Sequence, residues 1–182
     1  DPLATGLLLI CTGKMTKKIS EIQALEKVYT GTITLGATTP SFDLETPFDN
    51  HFPIDHITNE QLHQTTKLFT GVIEQYPPLF SAIKKEGKRL YEYARKGESI
   101  KIESRKIIIN RFDLTQIKLP KVSFYVSCSK GTYIRSLAND YGKALQSGSH
   151  LSELRRTGIG QFNVDNALTP KQIIERLNGI SP

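Results

Sequence analysis

The stretch "SFYVSCSKGTYIRSLANDYGKAL", residues 123–145, constrains the fold most, because its apolar residues change spacing at one turn. Before the turn the apolar residues alternate with others, at Val122, Phe124, Val126 and Cys128. On the other side they recur every three or four residues, at Ile134, Leu137, Ala138 and Tyr141. The first spacing is typical of a strand and the second of a helix, each with one apolar face. The sequence therefore predicts a strand that ends at Cys128 and a helix that begins near Thr132.

Further strands are predicted on both sides of this unit. Residues 28–36 alternate in polarity, with Tyr29 on the apolar side. Residues 106–116 and 121–128 form two strand candidates joined at Pro120. Residues 37–53 are rich in turn formers and are expected to form a long loop.

Helix signals lie between these strands and after them. Apolar residues occur at helical spacing after Gly13. Thr58 and Gln61 form a capping box that is expected to open a helix reaching about Val72. A last helix is predicted from the N-cap Thr169 to a stop at Gly179, also with a capping box. Together the segments predict an α+β fold, and 182 residues suit one domain, 1–182, better than two.

Composition excludes several classes of protein. Hydrophobic residues make up 38% of the chain, and the longest apolar run, residues 7–11, is far too short to span a membrane. Cys11 and Cys128 lie in apolar runs without metal-ligand spacing, so both are expected to be buried free thiols. The four histidines are scattered, and no metal site is predicted. We expect a cytoplasmic monomer with no membrane partner.

The net charge of +6 is unevenly distributed. The stretch "KKEGKRLYEYARK", residues 84–96, mixes cations with tyrosines, which suits phosphates and unstacked bases. Composition alone nevertheless favours a solvated amphipathic helix, because most charge runs only solvate a face.

Two cations near the strand–helix turn also have two interpretations. Lys130 is predicted close to a helix N-terminus, where an anion is stabilised. Arg135 lies beside the apolar stripe of the helix and therefore needs a carboxylate partner. Taken alone, these residues favour a structural salt bridge.

Five segments in order carry a family resemblance. They are "DPLATGLLLICTGKMTK", "EKVYTGTITLGATT", "PPLFSAIKKEGKRLYEYARKGE", "CSKGTYIRSLANDYG" and "LSELRRTGIGQF". Together they resemble the TruB family of tRNA pseudouridine-55 synthases over nearly the whole chain. The resemblance implies a mixed, mainly antiparallel sheet flanked by helices, with an RNA-gripping insertion at about residues 76–105.

The resemblance also implies roles for individual residues. Asp1 matches the family's catalytic nucleophile, and Arg135 the arginine that pairs with it. Three residues match positions that contact the target nucleotide: Tyr29, which stacks on the base, Tyr133 and Leu154. The basic stretch matches the insertion that grips the tRNA stem-loop, so the implied RNA-binding residues of that stretch are Lys84, Lys88, Arg89 and Tyr91. Lys130, at the predicted helix N-terminus, is also expected to bind RNA.

The implied activity is isomerisation of uridine to pseudouridine at position 55, in the T-arm loop of tRNA. The reaction needs no cofactor, because neither an energy source nor a redox change is required. Two alternatives stay open: a non-catalytic tRNA-binding or RNA-folding module, and a related synthase that acts on another RNA.

Both ends of the chain depart from the family pattern. The chain begins after the family's Gly-His-x-Gly turn and first strands, and Asp1 is not an initiator residue, so we expect a chain truncated at its N-terminus. A protein that truly began at Asp1 is expected to be much less active. Many relatives continue into a small RNA-binding domain after the last helix, so we expect this chain to be either a short form or truncated at this end as well.

Overall fold

The computed structural model describes residues 2–85, 87–98 and 100–179, and only the backbone of Arg95. The described strands are β1 Thr5–Gly6, β2 Lys27–Leu35, β3 Ala37–Thr38, β4 Asn50–His51, β5 Gly71–Gln75, β6 Lys84–Lys85, β7 Lys88–Arg89, β8 Arg105–Lys118, β9 Lys121–Cys128, β10 Ser149–Ile159 and β11 Phe162–Asn163. The helices are α1 Ile19–Ala24, α2 Asn59–Leu68, α3 Leu90–Lys96, α4 Ile134–Ala144 and α5 Pro170–Gly179, with 3₁₀ turns at Gly13–Lys18 and Val164–Asn166.

Within the described residues, seven strands form one sheet in the order β1-β10-β2-β9-β8-β5, with β11 paired to β10. Every pairing is antiparallel except that of β1 with β10. The predicted mixed, mainly antiparallel sheet of an α+β fold is therefore confirmed. Two small ribbons, β3–β4 and β6–β7, lie outside it.

The core lies between one face of the sheet and helices α2 and α4. The alternating residues of β9 are fully buried, and so are the helical-spacing residues of α4, including Tyr141. Tyr141 Oη donates to the carbonyl of Leu62 in α2 at 2.9 Å, so its one polar group is satisfied inside the core. The strand–turn–helix unit of residues 121–144 is thus the centre of the fold, and α4 begins at Ile134, two residues after Thr132.

The predicted start of α2 is confirmed, and its predicted end is wrong. Its capping box is present, with Thr58 Oγ1 accepting from the Gln61 N–H at 3.2 Å and Gln61 Oε1 from the Thr58 N–H at 2.8 Å. The helix ends at Leu68, however, and Val72 belongs to strand β5. Gly71 has φ +96°, which a helix cannot continue through, and β5 then pairs with β8.

Strand β10 carries no clear alternation and was not predicted. Two register shifts, at residues 151–153 and 156–158, interrupt its pairing with β2 and with it the period of two. Of the two thiols, Cys128 is buried as predicted, whereas Cys11 is half-buried. Burial raises the pKa of Cys128 to about 11. None of the described helices combines the length and the apolar character that crossing a membrane requires.

Candidate active site

A cavity of about 560 Å³ opens where the start of α4 meets strands β1, β2 and β10. Residues 4–8 form one wall and residues 132–135 another, and Tyr29, Leu154 and Arg156 complete the lining. The fold therefore brings four of the predicted site residues, Tyr29, Tyr133, Arg135 and Leu154, to one cavity. The fifth, Asp1, lies outside the described residues.

Arg135 is one of two arginines that line this cavity, and its side chain is only 8% exposed. Its guanidinium forms an ion pair with Asp43, with Nη1 3.3 Å from Oδ2. It also donates to the carbonyls of Ser41, at 3.3 Å, and Phe80, at 2.9 Å. A buried charge needs such partners, because an uncompensated one costs several kcal/mol, of order 3–5.

Asp43 is itself held in place by the long loop before α2. Its Oδ1 accepts from the Glu45 N–H at 2.9 Å, and its own carbonyl accepts from the hydroxyls of Thr39 and Ser41. Its Oδ2 has no hydrogen bond of good geometry within the described ranges, so Arg135 stabilises it mainly through charge. The sequence predicted that Arg135 needs a carboxylate, but only the fold shows that Asp43 supplies one.

Tyr133 is positioned through its backbone. It is the N-cap residue of α4 but makes no side-chain cap. Gln75, at the end of β5, holds the Tyr133 backbone from outside the helix: its Oε1 accepts from the Tyr133 N–H at 2.8 Å and its Nε2 donates to the Tyr133 carbonyl at 3.0 Å. Ser136 Oγ adds a bond to the carbonyl of Tyr76 at 2.8 Å. Because Gln75 is 1% exposed, this clamp is sheltered from water.

Tyr29 and Leu154 face the cavity from neighbouring strands. Both pack against the core, and Leu154 lies opposite Gly31 in the β2–β10 pairing. Burial raises the pKa of Tyr29 above its ordinary value, and this effect is only partly offset by the nearby Arg156. The phenol is therefore neutral near pH 7, and the pocket offers it as an uncharged ring.

Arg156 and Gly6 join the first segment of the chain to β10. Arg156 Nε donates to the carbonyl of Leu7 at 2.8 Å, and the Leu7 N–H donates to the carbonyl of Arg156 at 2.8 Å. Gly6 has φ +102°, and a Cβ there would lie 2.2 Å from the Arg156 carbonyl oxygen. Only glycine fits this approach without displacing backbone.

None of the five predicted RNA-binding residues, all of which the structure describes, lines the cavity. In the β6–β7 ribbon Lys84 is opposite Arg89, and both, like Lys88, are exposed. Arg89 lies over the ring of Tyr91, 5.8 Å from its centroid. Lys130 is exposed in the turn before α4, three residues ahead of the N-cap, so it is not at the helix N-terminus itself.

The basic stretch, residues 84–96, has features of both an amphipathic helix and an RNA-binding segment. Its Leu90 and Tyr93 are buried, as a solvated amphipathic helix requires. The cations of the preceding ribbon remain available for a polyanion. In the part of the chain that the structure describes, no three metal-ligating side chains cluster.

Solved structures identify the class of fold. A crystal structure of a Cbf5-Nop10-Gar1 complex covers 100% of this chain, with a TM-score of 0.73 and 26% identity. An H/ACA RNP bound to a substrate RNA containing 2'-deoxyuridine covers 100% of it, with a TM-score of 0.68 and 23% identity. The fold is the pseudouridine synthase fold. The present chain spans 46% and 45% of those two chains, respectively.

Sequence comparison gives the family. Residues 1–134 match the model described as "TruB family pseudouridylate synthase (N terminal domain)", and residues 135–178 match "tRNA pseudouridylate synthase B C-terminal domain". The chain belongs to the TruB family of pseudouridylate synthases, enzymes that isomerise uridine to pseudouridine.

Two relatives named tRNA pseudouridine synthase B illustrate the similarity. The protein of Flavobacterium johnsoniae is 65% identical over 168 residues, which cover 92% of this chain and 73% of the relative. The protein of Parabacteroides distasonis is 51% identical over 173 residues, which cover 95% and 74%.

Proposed function

We propose that the chain isomerises the uridine at position 55 in the T-arm loop of tRNA, in the cytoplasm, with Asp1 as the nucleophile. The observation that carries the proposal is the convergence of Tyr29, Tyr133, Arg135 and Leu154 on one cavity. The volume of about 560 Å³ lies within the range of small-molecule pockets, roughly 300–1,000 Å³. The names of the relatives support tRNA as the substrate.

Connectivity supports the role of Asp1. Ala4 already lines the cavity, and Asp1 precedes it by three residues. Three residues of extended chain span about 11 Å at most. Arg135 provides positive charge in the same cavity, and a nearby guanidinium favours the ionised form of a carboxylate. Asp43 and the two backbone carbonyls fix the orientation of that guanidinium.

The reaction explains the remaining residue types. The C1′–N1 bond breaks, the uracil rotates, C5 bonds to C1′, and the C5 proton is lost while N1 gains one. The detached base must stay in the pocket between these steps. Tyr29 and Tyr133 offer rings for stacking and Leu154 an apolar contact, so together they retain a base that has left the RNA stack and exclude water.

The exposed cations supply affinity for the rest of the RNA. Lys84, Lys88 and Arg89 carry charge that neutralises phosphates, and we assign Tyr91 and Lys130 to further RNA contacts. Of these residues, Lys84, Lys88, Arg89 and Tyr91 lie in the proposed insertion, at about residues 76–105 of a single catalytic domain, and Lys130 lies outside it. The enzyme is proposed to act as a monomer without a metal or cofactor.

Release of tritium from tRNA labelled at uridine C5 tests the proposal. The natural protein that carries this chain should release tritium, and its Asp1→Asn variant should bind the tRNA but release none. A tRNA with cytidine at position 55 serves as the substrate control. Equal release by both proteins would remove Asp1 from the mechanism, and binding without release by either would leave a tRNA-binding module. Release from another RNA but not from this tRNA would indicate a synthase of different specificity.

A further inference from the structure

Strand β8 carries two arginine–tyrosine stacks that differ in their surroundings. The guanidinium carbon of Arg105 lies 5.7 Å from the ring centroid of Tyr133, and that of Arg111 lies 4.9 Å from the ring centroid of Tyr125. Arg111 is exposed and forms an ion pair with Asp113. Arg105 is half-buried and forms no ion pair with any carboxylate of residues 2–85, 87–98 or 100–179. In both stacks a guanidinium lies over a tyrosine ring, but only Arg111 also has a carboxylate partner.

Two acidic residues near Arg105, Glu74 across the β5–β8 pairing and Glu103 in its own segment, do not neutralise it. Glu74 accepts a hydrogen bond from Ser104 Oγ at 3.1 Å. Glu103 lines the same surface groove as Arg105 but makes no ion pair with it within the described ranges. A partly desolvated cation without an acid is costly unless a ligand supplies the negative charge.

The position of Arg105 points to the kind of ligand. Its side chain lies beside the cavity, on the ring of Tyr133, and its Nη1 is 3.8 Å from where a Cβ of Gly131 would be. Its neighbour across the β5–β8 pairing is Gln75, which clamps the backbone of Tyr133. Arg105 is thus held next to a residue of the proposed base pocket, where an RNA strand delivering a nucleotide must pass.

We propose that Arg105 binds a backbone phosphate flanking the target uridine. The inference rests on the proposed function, because it takes the cavity as the place where the flipped nucleotide enters. Flipping rotates the nucleotide about its backbone, so the phosphates on either side of it stay at the entrance. The planar guanidinium donates to two phosphate oxygens at once, and stacking on Tyr133 orients it beforehand.

Arg111→Ala is the matched control for Arg105→Ala, because it removes the same side chain from the same strand and from a similar stack. Binding of a T-arm stem-loop RNA is measured against salt concentration for the natural protein and both variants. We expect Arg105→Ala to weaken binding about tenfold at 0.1 M salt and to lower the slope of log K against log salt by about 0.7–0.9. Arg111→Ala should match the natural protein in both.

Turnover separates phosphate binding from a purely structural role. Arg105→Ala should raise KM about tenfold and leave kcat within about twofold, and Arg105→Lys should restore the salt slope. An unchanged slope, or a loss confined to kcat, would overturn the inference. If the natural protein forms no pseudouridine, the proposed function fails instead, and the two slopes still decide whether Arg105 contacts RNA. Absence of RNA binding by the natural protein would overturn both.

Discussion

The start of α4 and the β6–β7 ribbon both face the proposed substrate, but they are built differently. Partly buried hydrogen bonds hold residues 133–136 in place. Gln75 bonds to the backbone of Tyr133, and the side chains of residues 135 and 136 donate to the carbonyls of Phe80 and Tyr76, respectively. The ribbon consists of two strands of two residues, with exposed cations. Bond breaking depends on atomic position, whereas attraction to phosphates depends mostly on charge. The difference predicts that changes at the first region affect kcat and changes at the second affect binding.

The largest effect is expected from Arg135→Ala. The change removes a cavity cation and leaves Asp43 buried without it, so unfolding free energy should fall by about 3–5 kcal/mol and pseudouridine formation should be lost. Thermal unfolding and tritium release measure the two losses. The double variant Arg135→Ala/Asp43→Ala is the control, and it should regain stability but not activity. Recovery of activity in the double variant would contradict a role for Arg135 beyond neutralising Asp43.

The next effect is expected from Gln75→Ala. It leaves the Tyr133 N–H without its partner and leaves the Tyr133 carbonyl with only the Leu137 N–H, and the resulting shift should lower kcat about 10–100-fold with KM nearly unchanged. Gln75→Glu keeps an acceptor for the Tyr133 N–H, so its kcat should lie between those of the natural protein and Gln75→Ala. Glu74→Gln, on an exposed neighbour, should behave like the natural protein. A rise in KM without a fall in kcat would show that the clamp does not position Tyr133 for chemistry.

A smaller and salt-dependent effect is expected from the triple variant Lys84→Ala/Lys88→Ala/Arg89→Ala. Loss of three phosphate contacts should lower the slope of log K against log salt by about 2 and leave kcat intact. The control removes three exposed lysines elsewhere: Lys118, Lys121 and Lys143. Equal slopes for the two triple variants would erase the distinction between the ribbon and the rest of the surface.

The smallest effect is expected from Tyr29→Phe. Because burial raises the pKa of Tyr29 above its ordinary value near 10, the phenol stays protonated between pH 6 and 9. Its removal should change kcat less than about fivefold and should not alter the pH profile in that range. Tyr29→Leu, which removes the aromatic ring, should cost more. A new pH dependence in the phenylalanine variant would show that the hydroxyl itself titrates during turnover.

Local sequence patterns predicted much of the fold. The alternation in β9 and the helical spacing in α4 each reflect one buried face. The capping boxes of α2 and α5 each join two residues that are only three positions apart in the sequence. Strand β5 was missed because it has only five residues and lies at the edge of the sheet, where Val72 is 68% exposed. Strand β10 was missed because bulges break its period.

The candidate site could be predicted only in part for a related reason. Tyr29, Tyr133 and Leu154 were found through the family resemblance, and the cavity does bring their side chains together. Gln75 and Asp43 were not found, because their partners lie 58 and 92 residues away, respectively, and no local pattern encodes such a contact. Arg135 gave the one usable signal, since a cation at a core position requires an acid.

The pairing of Gly6 with Arg156 also has a consequence for the order of folding. One wall of the cavity is made from the start of the chain, yet it is fixed by a strand about 150 residues later. Closing so long a loop is entropically costly, and such contacts form late. During synthesis on the ribosome, the cavity cannot close until β10 has emerged, so residues 4–8 wait for about 150 further residues to be translated before their wall is fixed.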